Sequence, residues 1–492
     1  MGNTMLSFEN LLKTLRFSAL IGLALNACTI QPNHVNASEA VQPNVLLIVV
    51  DDLGWTDLGT YGSSYYETPH IDRLAMSSTR YLAAYSSSPV CSPTRAALLT
   101  GKHPSKLGIT DFIPGGKFAD MPLQAPKSAN DHLPLEEVTI AEVFRQAGYR
   151  TFFAGKWHLG DSGQLPTDQG FDHNLGGNNR GRPPGGYYSP YKNPALQDGP
   201  AGEYLTDRLT QETIEFMQAE NPAPFFAMLS YYAVHIPLEA SPYHYEHFQN
   251  KVKGTPHSEQ FQLAVGETTS TQLTQNNPRY ASMLAAVDAS VGRLINSLSE
   301  QGLIDNTIVI FTSDNGGLST VLNGRQQPTT ANVPLRAGKG WLYEGGIRVP
   351  LIVRAPRFLT PGESDVPTTT TDLFPTLLDM AGITFFNRSI LDGSSLLDLA
   401  DKQESGKARV LAWHFPHYHG SGWTPGAALR VGKWKLIQLY EDQRLELYDL
   451  EKDIAEQYDL AEAHPDTVSR LYEQLSEWYR ETGTVIPQPA AK

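Results

Sequence analysis

An α/β fold built on a large, mostly parallel central sheet is predicted by apolar runs that alternate with amphipathic stretches. Residues 45–50, Val-Leu-Leu-Ile-Val-Val, form an unbroken apolar run, the mark of a strand buried on both faces. Similar runs recur at 225–229, 308–311 and 351–353, and helical patterns at 138–147, 205–219, 280–298 and 372–381 lie between them. Strands alternating with helices imply a parallel sheet flanked by helices. A composition shift follows at about residue 400, where 410–415, 427–439 and 445–449 read as short strands and 465–479 as a helix. The predicted organisation is a targeting segment over 1–28, a principal domain over 44–400, and a smaller C-terminal α/β subdomain over 401–492 with a short antiparallel sheet. Its tail, 485–492, is expected to fray.

The 492 residues are enough for a sizeable core. The composition, 40% hydrophobic and 18% charged, is that of a globular protein. A formal net charge of -14 with no long basic run excludes general nucleic-acid binding. It does not exclude an anionic substrate, because a local group of Arg, Lys and a metal can govern one cleft.

Lys13 and Arg16 precede the apolar run 17–25, which is too short to span a bilayer. Leu25-Asn26-Ala27-Cys28 and the polar stretch 29–40 follow. This pattern resembles a bacterial lipoprotein signal, which implies an exported protein, periplasmic or at the cell surface, held to a membrane only by lipid on Cys28. Asn26 stands where a small residue is usual, so ordinary signal cleavage and secretion remain the alternative. Either way Cys91, the only other cysteine, loses its disulfide partner.

Asp51-Asp52 close the first strand at its carboxyl end, where open α/β sheets place ligands. In isolation the pair reads as a solvated turn. Cys91-Ser92-Pro93-Thr94-Arg95 reads as a helix start, with Pro93 in the first turn and Gly101 as the stop. A helix N-terminus favours an anion there, although a lone cysteine is more often a buried structural one. In Gly155-Lys156-Trp157-His158-Leu159-Gly160, after a short strand, Lys156 and His158 alternate along an extended segment and can share a side. Residues 171–202, rich in Gly, Pro, Asn and Tyr, read as surface loops. His235 lies just past the strand ending near Tyr232, a place where a single His is usually structural. Asp314-Asn315 repeat the strand-end pattern, and Asp51, Asp52, Asp314 and Asn315 make an oxygen donor set for a hard divalent cation. Calcium is expected, magnesium is the alternative, and the lack of a His/Cys cluster argues against a dedicated zinc site. Lys339 sits among glycines that let backbone approach a ligand.

Cys-Ser-Pro-Thr-Arg resembles the Cys-X-Pro-X-Arg signature of the formylglycine-dependent sulfatases. With the Asp pair, Gly-Lys-Trp-His-Leu-Gly, the His-Ile-Pro segment, Asp-Asn-Gly-Gly and Lys339, the resemblance runs over most of the chain from about residue 44. It implies an alkaline-phosphatase-like sandwich and conversion of Cys91 to formylglycine by a formylglycine-generating or anaerobic sulfatase-maturing enzyme. It further implies one calcium held by Asp51, Asp52, Asp314 and Asn315 and touching residue 91. On the same footing one hydroxyl of the aldehyde hydrate attacks sulfur, with Asp314 as base. Arg95, Lys156 and Lys339 hold the sulfate oxygens, and His235 with Lys339 protonates the departing alcohol. His158 then removes the proton of the second hydroxyl and releases sulfate.

For the substrate, a sulfated carbohydrate is expected, either a polysaccharide or its oligosaccharides. His173, Arg180 and Arg182 in the loop-rich region, and His414, His417, His419 and Trp423 in the C-terminal part, are candidate sugar contacts. Any single one of them is as readily an ordinary loop residue. Two rival readings remain: a phosphate diester or phosphonate hydrolase of the same superfamily, and a glycan-binding lipoprotein that never acquires the modification.

Overall fold

Alternate side chains of the strand Asn44–Val50 enter two different cores. Leu46, Ile48 and Val50 pack with the helices Leu205–Gln218 and Pro278–Glu300, whereas Val45, Leu47 and Val49 pack with Cys91–Thr100 and Leu373–Ala381. A strand covered on both sides has no polar face, which is why its sequence is an unbroken apolar run. Each such side chain contributes about 1.5–3 kcal/mol by leaving water. The computed structural model describes residues 42–126, 129–252, 268–403 and 408–490. The expected targeting segment over 1–28, with Cys28, lies outside the described residues.

The eight-stranded sheet runs, edge to edge, through Gly362–Ser364, Thr79–Tyr81, Leu351–Arg354, Thr307–Ser313, Asn44–Val50, Phe225–Ser230, Arg150–Gly155 and His173–Leu175. All neighbours pair in parallel except Leu351–Arg354, which is antiparallel to both of its own. Register matters most for function. Val50 pairs with Ser313, while Val49 and Gly155 both pair with Ser230, so four strands end at one level.

Helix limits follow local chemistry. Thr139 and Glu142 form a reciprocal capping box that starts the helix at Ile140 rather than 138. Asn277 caps the next long helix with Pro278 at its first position, two residues before the expected start.

Three expectations need correction. Residues 427–439 are two strands, Gly426–Val431 and Trp434–Leu439, because Gly432 at φ +59° turns the chain into a hairpin. The stretch 171–202 is not all surface, since Tyr187 and Tyr191 are buried in the main core. The tail does not simply fray: Gln488–Pro489 pairs antiparallel with Leu123–Gln124.

The C-terminal strands Val410–Phe415, Gly426–Val431, Trp434–Leu439 and Leu445–Asp449 form an antiparallel meander, with the helix Pro465–Thr482 packed on one face through Leu471, Leu475 and Tyr479. Lys435 of this sheet is fully buried between Glu344 (2.9 Å) and Glu456 (2.8 Å), which ties it to the segment after Lys339. From Gln42 onward the chain is one compact unit. Among the described residues no helix is long and apolar enough to cross a membrane.

Candidate active site

Chain segments leaving the aligned strand ends converge beneath a cleft of about 350 Å³. Asp51 and Asp52 follow Val50, and Asp314 and Asn315 follow Ser313. The segment after Ser230 keeps pairing with this end: Asp51 N–H donates to Ala233 O (2.9 Å), and Val234 N–H donates to Asp51 O (2.8 Å). His235 is thereby set beside Asp52, its Nε2 3.7 Å from the carboxylate. Lys156 enters because Gly155, at φ +104°, lies so close to Ser230 O that a Cβ would be 1.9 Å from it. Only glycine fits there.

Cys91 is the first residue of its helix rather than preceding it. Val90 is the extended N-cap and Gly101 the left-handed C-cap. The residue is 2% exposed, and its sulfur lies 3.6 Å from Asp51 Oδ1 and 3.5 Å from Lys339 Nζ. Lys339 also reaches Asp52 at 2.8 Å, and Lys156 reaches Asp51 at 2.6 Å. Arg95 lies below this layer and does not line the cleft. Its Nε and Nη2 bind Asp314 Oδ2 at 2.9 and 2.8 Å, and its Nη1 donates to Lys156 O and Ser230 Oγ. The structure thus places Arg95 against Asp314, the Lys156 carbonyl and Ser230, beneath the residues that line the cleft.

His158 does not continue an extended segment. It sits at φ +60°, with its N–H held by Asn178 O at 2.9 Å. Its Nε2 lies 2.6 Å from Ile113 O, a carbonyl that can only accept, so Nε2 carries the proton. Nδ1 is left unprotonated, buried and without a partner among the described residues. In His235 the order is reversed, with Nδ1 donating to Ile236 O at 2.6 Å. Burial, reinforced by Lys156, holds the His158 ring well below its ordinary pKa, and burial with Lys339 pushes His235 down to about 3.

Burial pushes the Asp51 carboxyl up to about 8 even with Lys156 in contact. Asp52 and Asp314 are held below the usual carboxylate range, where Lys339 and His235 at the first, and Arg95 at the second, outweigh burial. Burial pushes the Cys91 thiol up to about 12. Asn315 donates its Nδ2 to Asp52 Oδ1 at 2.8 Å, yet its Oδ1 is buried without a donor. An oxygen with no donor beside three desolvated carboxylates is what a hard cation resolves. Donor atoms of Asp51, Asp52, Cys91 and His235 also lie within 4.8 Å of one another, which adds His235 to the set read from sequence.

The candidate sugar contacts divide. Arg180 and Arg182 line the cleft, as does His419. His173 stands on the edge strand with its ring against Phe152 and Phe216. His414 is 4% exposed, packed near Tyr440 and Tyr479, and His417 is buried with Nε2 2.9 Å from Thr110 Oγ1. These three are not in the cleft: His173 is exposed on the edge strand, and packing has taken up the rings of His414 and His417; Trp423 is likewise in a core. Phe112, Ile113 and Gln326, unmarked by any local motif, form part of the wall.

A family profile described as Sulfatase matches residues 43–383, and one described as N-sulphoglucosamine sulphohydrolase, C-terminal, matches 337–481. A sulfatase of Formosa agariphila is 29% identical over 94% of this chain and 93% of its own length. The human N-acetylgalactosamine-6-sulfatase is 32% identical over 74% of this chain and 67% of its own. Among solved structures, Ps i-CgsB in complex with k-i-k-neocarrahexaose is similar with a TM-score of 0.72 and 29% identity, over 89% of this chain and 92% of that one.

Proposed function

The chain belongs to the sulfatase family and is a sulfuric ester hydrolase; from that premise we propose that it cleaves sulfate esters of a polysaccharide or its oligosaccharides, using a formylglycine made from Cys91 and one calcium ion. The observation that carries this reading is the place of Cys91, which begins a buried helix at the cleft floor in contact with both Asp51 and Lys339. Relatives that act on N-acetylgalactosamine 6-sulfate or bind a neocarrahexaose support a sulfated sugar as substrate.

Among Asp51, Asp52, Asp314 and Asn315 a calcium ion supplies charge neutralisation and Lewis acidity beside residue 91, and formylglycine supplies an oxygen nucleophile with a second hydroxyl. The chain's own groups do the rest. Lys339, which lines the cleft, offers its ammonium group to the negative oxygens of the ester in a water-poor site where charge interactions are strong, and Lys156, wholly buried against Asp51, adds its charge from beneath. Arg95 orients Asp314 from below and acts on the reaction through it. His158 Nδ1, fixed as an acceptor by the Ile113 carbonyl, takes a proton from a hydroxyl on residue 91. Lys339, which stays charged, supplies the proton to the departing alcohol, and His235, with its own proton on Nδ1, presents a bare Nε2 that orients this transfer as a hydrogen-bond acceptor.

Because Cys91 is almost wholly buried, its maturing enzyme must act before the chain has folded around it. Export with lipid on Cys28 completes the proposal. Mass spectrometry of the Cys91 peptide from the natural host tests it, together with turnover of 4-nitrophenyl sulfate and bis-4-nitrophenyl phosphate. The aldehyde and a clear preference for the sulfate are expected. A thiol throughout in active material, or faster phosphate turnover, would overturn the reading.

A further inference from the structure

His419 comes to the cleft from the C-terminal part of the chain, on the loop between the strands Val410–Phe415 and Gly426–Val431. Its Nδ1 lies 2.8 Å from Ser421 Oγ and accepts the Ser421 backbone N–H at 3.2 Å. A backbone amide can only donate, so in the neutral ring Nδ1 is bare and the proton is on Nε2. Nε2 has no hydrogen-bond partner among the described residues.

The ring cannot easily turn away. Ser421 is 1% exposed, and Gly340, next to Lys339, passes so close that a Cβ there would lie 2.0 Å from His419 Nδ1. Phe112 and Phe415 flank it edge-on at 6.1 Å between centroids. Burial and the nearby Lys339 keep the imidazole neutral. The result is a rigid, uncharged donor on the cleft wall, beside the lysine that contacts residue 91.

We propose that His419 is a substrate-specificity residue whose Nε2–H binds an oxygen of the sugar bearing the sulfate, so that the C-terminal subdomain takes part in choosing the sugar. The inference rests on the sulfatase reading above. A purely structural role, bracing the Gly340 loop, is the competing explanation, and it predicts equal losses on every substrate.

The test uses the matured full chain with 4-nitrophenyl sulfate and a panel of sulfated mono- and oligosaccharides. His419→Ala should raise KM for the best saccharide about 10-fold, with aryl sulfate kinetics within about 3-fold of the parent, the size of one lost hydrogen bond to substrate. His419→Gln keeps a donor and should recover most of the loss. Ser421→Ala leaves the backbone N–H in place and should shift KM less than His419→Ala. Equal losses on aryl and sugar esters, or Gln no better than Ala at matched melting temperature, would overturn the proposal. Wild-type turnover of the aryl ester with no saccharide accepted would also overturn it while leaving the sulfatase reading intact. Turnover of neither ester would remove that reading itself. Should the Ala variant fail to fold, the Gln and Ser421→Ala comparison decides.

Discussion

Lys339 touches Asp52 and Cys91 at the same time, its Nζ 2.8 Å from the carboxylate and 3.5 Å from the sulfur. One ammonium group thus links the metal-type cluster to the position where chemistry starts. Asp52 raises its pKa further, against the effect of burial, so it stays charged throughout the working range.

Replacing Lys339 with Met should therefore lower kcat on an aryl sulfate at least about 100-fold, because a charge-stabilising donor in a dry site is worth about 3 kcal/mol or more. The protein should also lose up to about 3–5 kcal/mol of stability, since a buried ion pair is broken and Asp52 keeps only the Asn315 hydrogen bond. Steady-state kinetics and thermal melts check both. A variant that keeps parental kcat would show that Lys339 serves packing alone.

His158→Ala should separate the two halves of the reaction. The Nδ1 lone pair has no other task, so alcohol release in the first turnover should persist while the steady state falls by about 10²–10⁴-fold. Rapid-quench measurement of the aryl alcohol would show a burst near one equivalent. A slow first turnover with no burst would contradict the assignment.

Removing divalent ions with EGTA should abolish turnover and lower the melting temperature, because an ion that binds only the folded state stabilises it by mass action. Calcium should restore both, and magnesium less well, since Asn315 Oδ1 and three carboxylates offer a many-oxygen site. Full activity after exhaustive chelation would count against the site.

His414 supplies the pH prediction. Neither ring nitrogen has a hydrogen-bond partner among the described residues, and burial holds its pKa well below the ordinary 6.5 or so. The folded state resists a proton that the unfolded chain accepts. Its contribution is therefore full above about pH 6.5 and lost as pH falls below that. His414→Phe should flatten the decline of melting temperature between pH 6.5 and 5, and should leave kcat/KM on sugars unchanged because the ring is outside the cleft. An identical pH slope in both proteins, or a lost sugar activity, would refute this.

Much of the site was legible because strand ends announce themselves. Apolar runs followed at once by Asp51-Asp52 and Asp314-Asn315 place carboxylates at the carboxyl ends of buried strands without knowledge of the rest. Lys156 and His158 were legible as residues but not as geometry, since the positive φ of His158 and its Ile113 anchor depend on a segment 45 residues away. Arg95 was placed in the right helix, yet its turn toward Asp314 is a tertiary fact that no local pattern encodes. The buried Tyr187 and Tyr191 were hidden in a stretch whose Gly and Pro content reads as surface. His419 drew notice only as one of several histidines, because what separates it from His414 is which loop leaves its strand on the cleft side.

The pairing of Gln488–Pro489 with Leu123–Gln124 has a practical side for protein production. The partner strand lies ten residues after Ile113, whose carbonyl fixes the protonation state of His158. A purification handle fused directly to the C-terminus should disturb that strand, and one at the N-terminus would precede the export signal proposed above. A spacer after Lys492 that lets the last strand close is the safer design, and a shortened chain ending near Thr484 should be slower without any change in the residues of its active site.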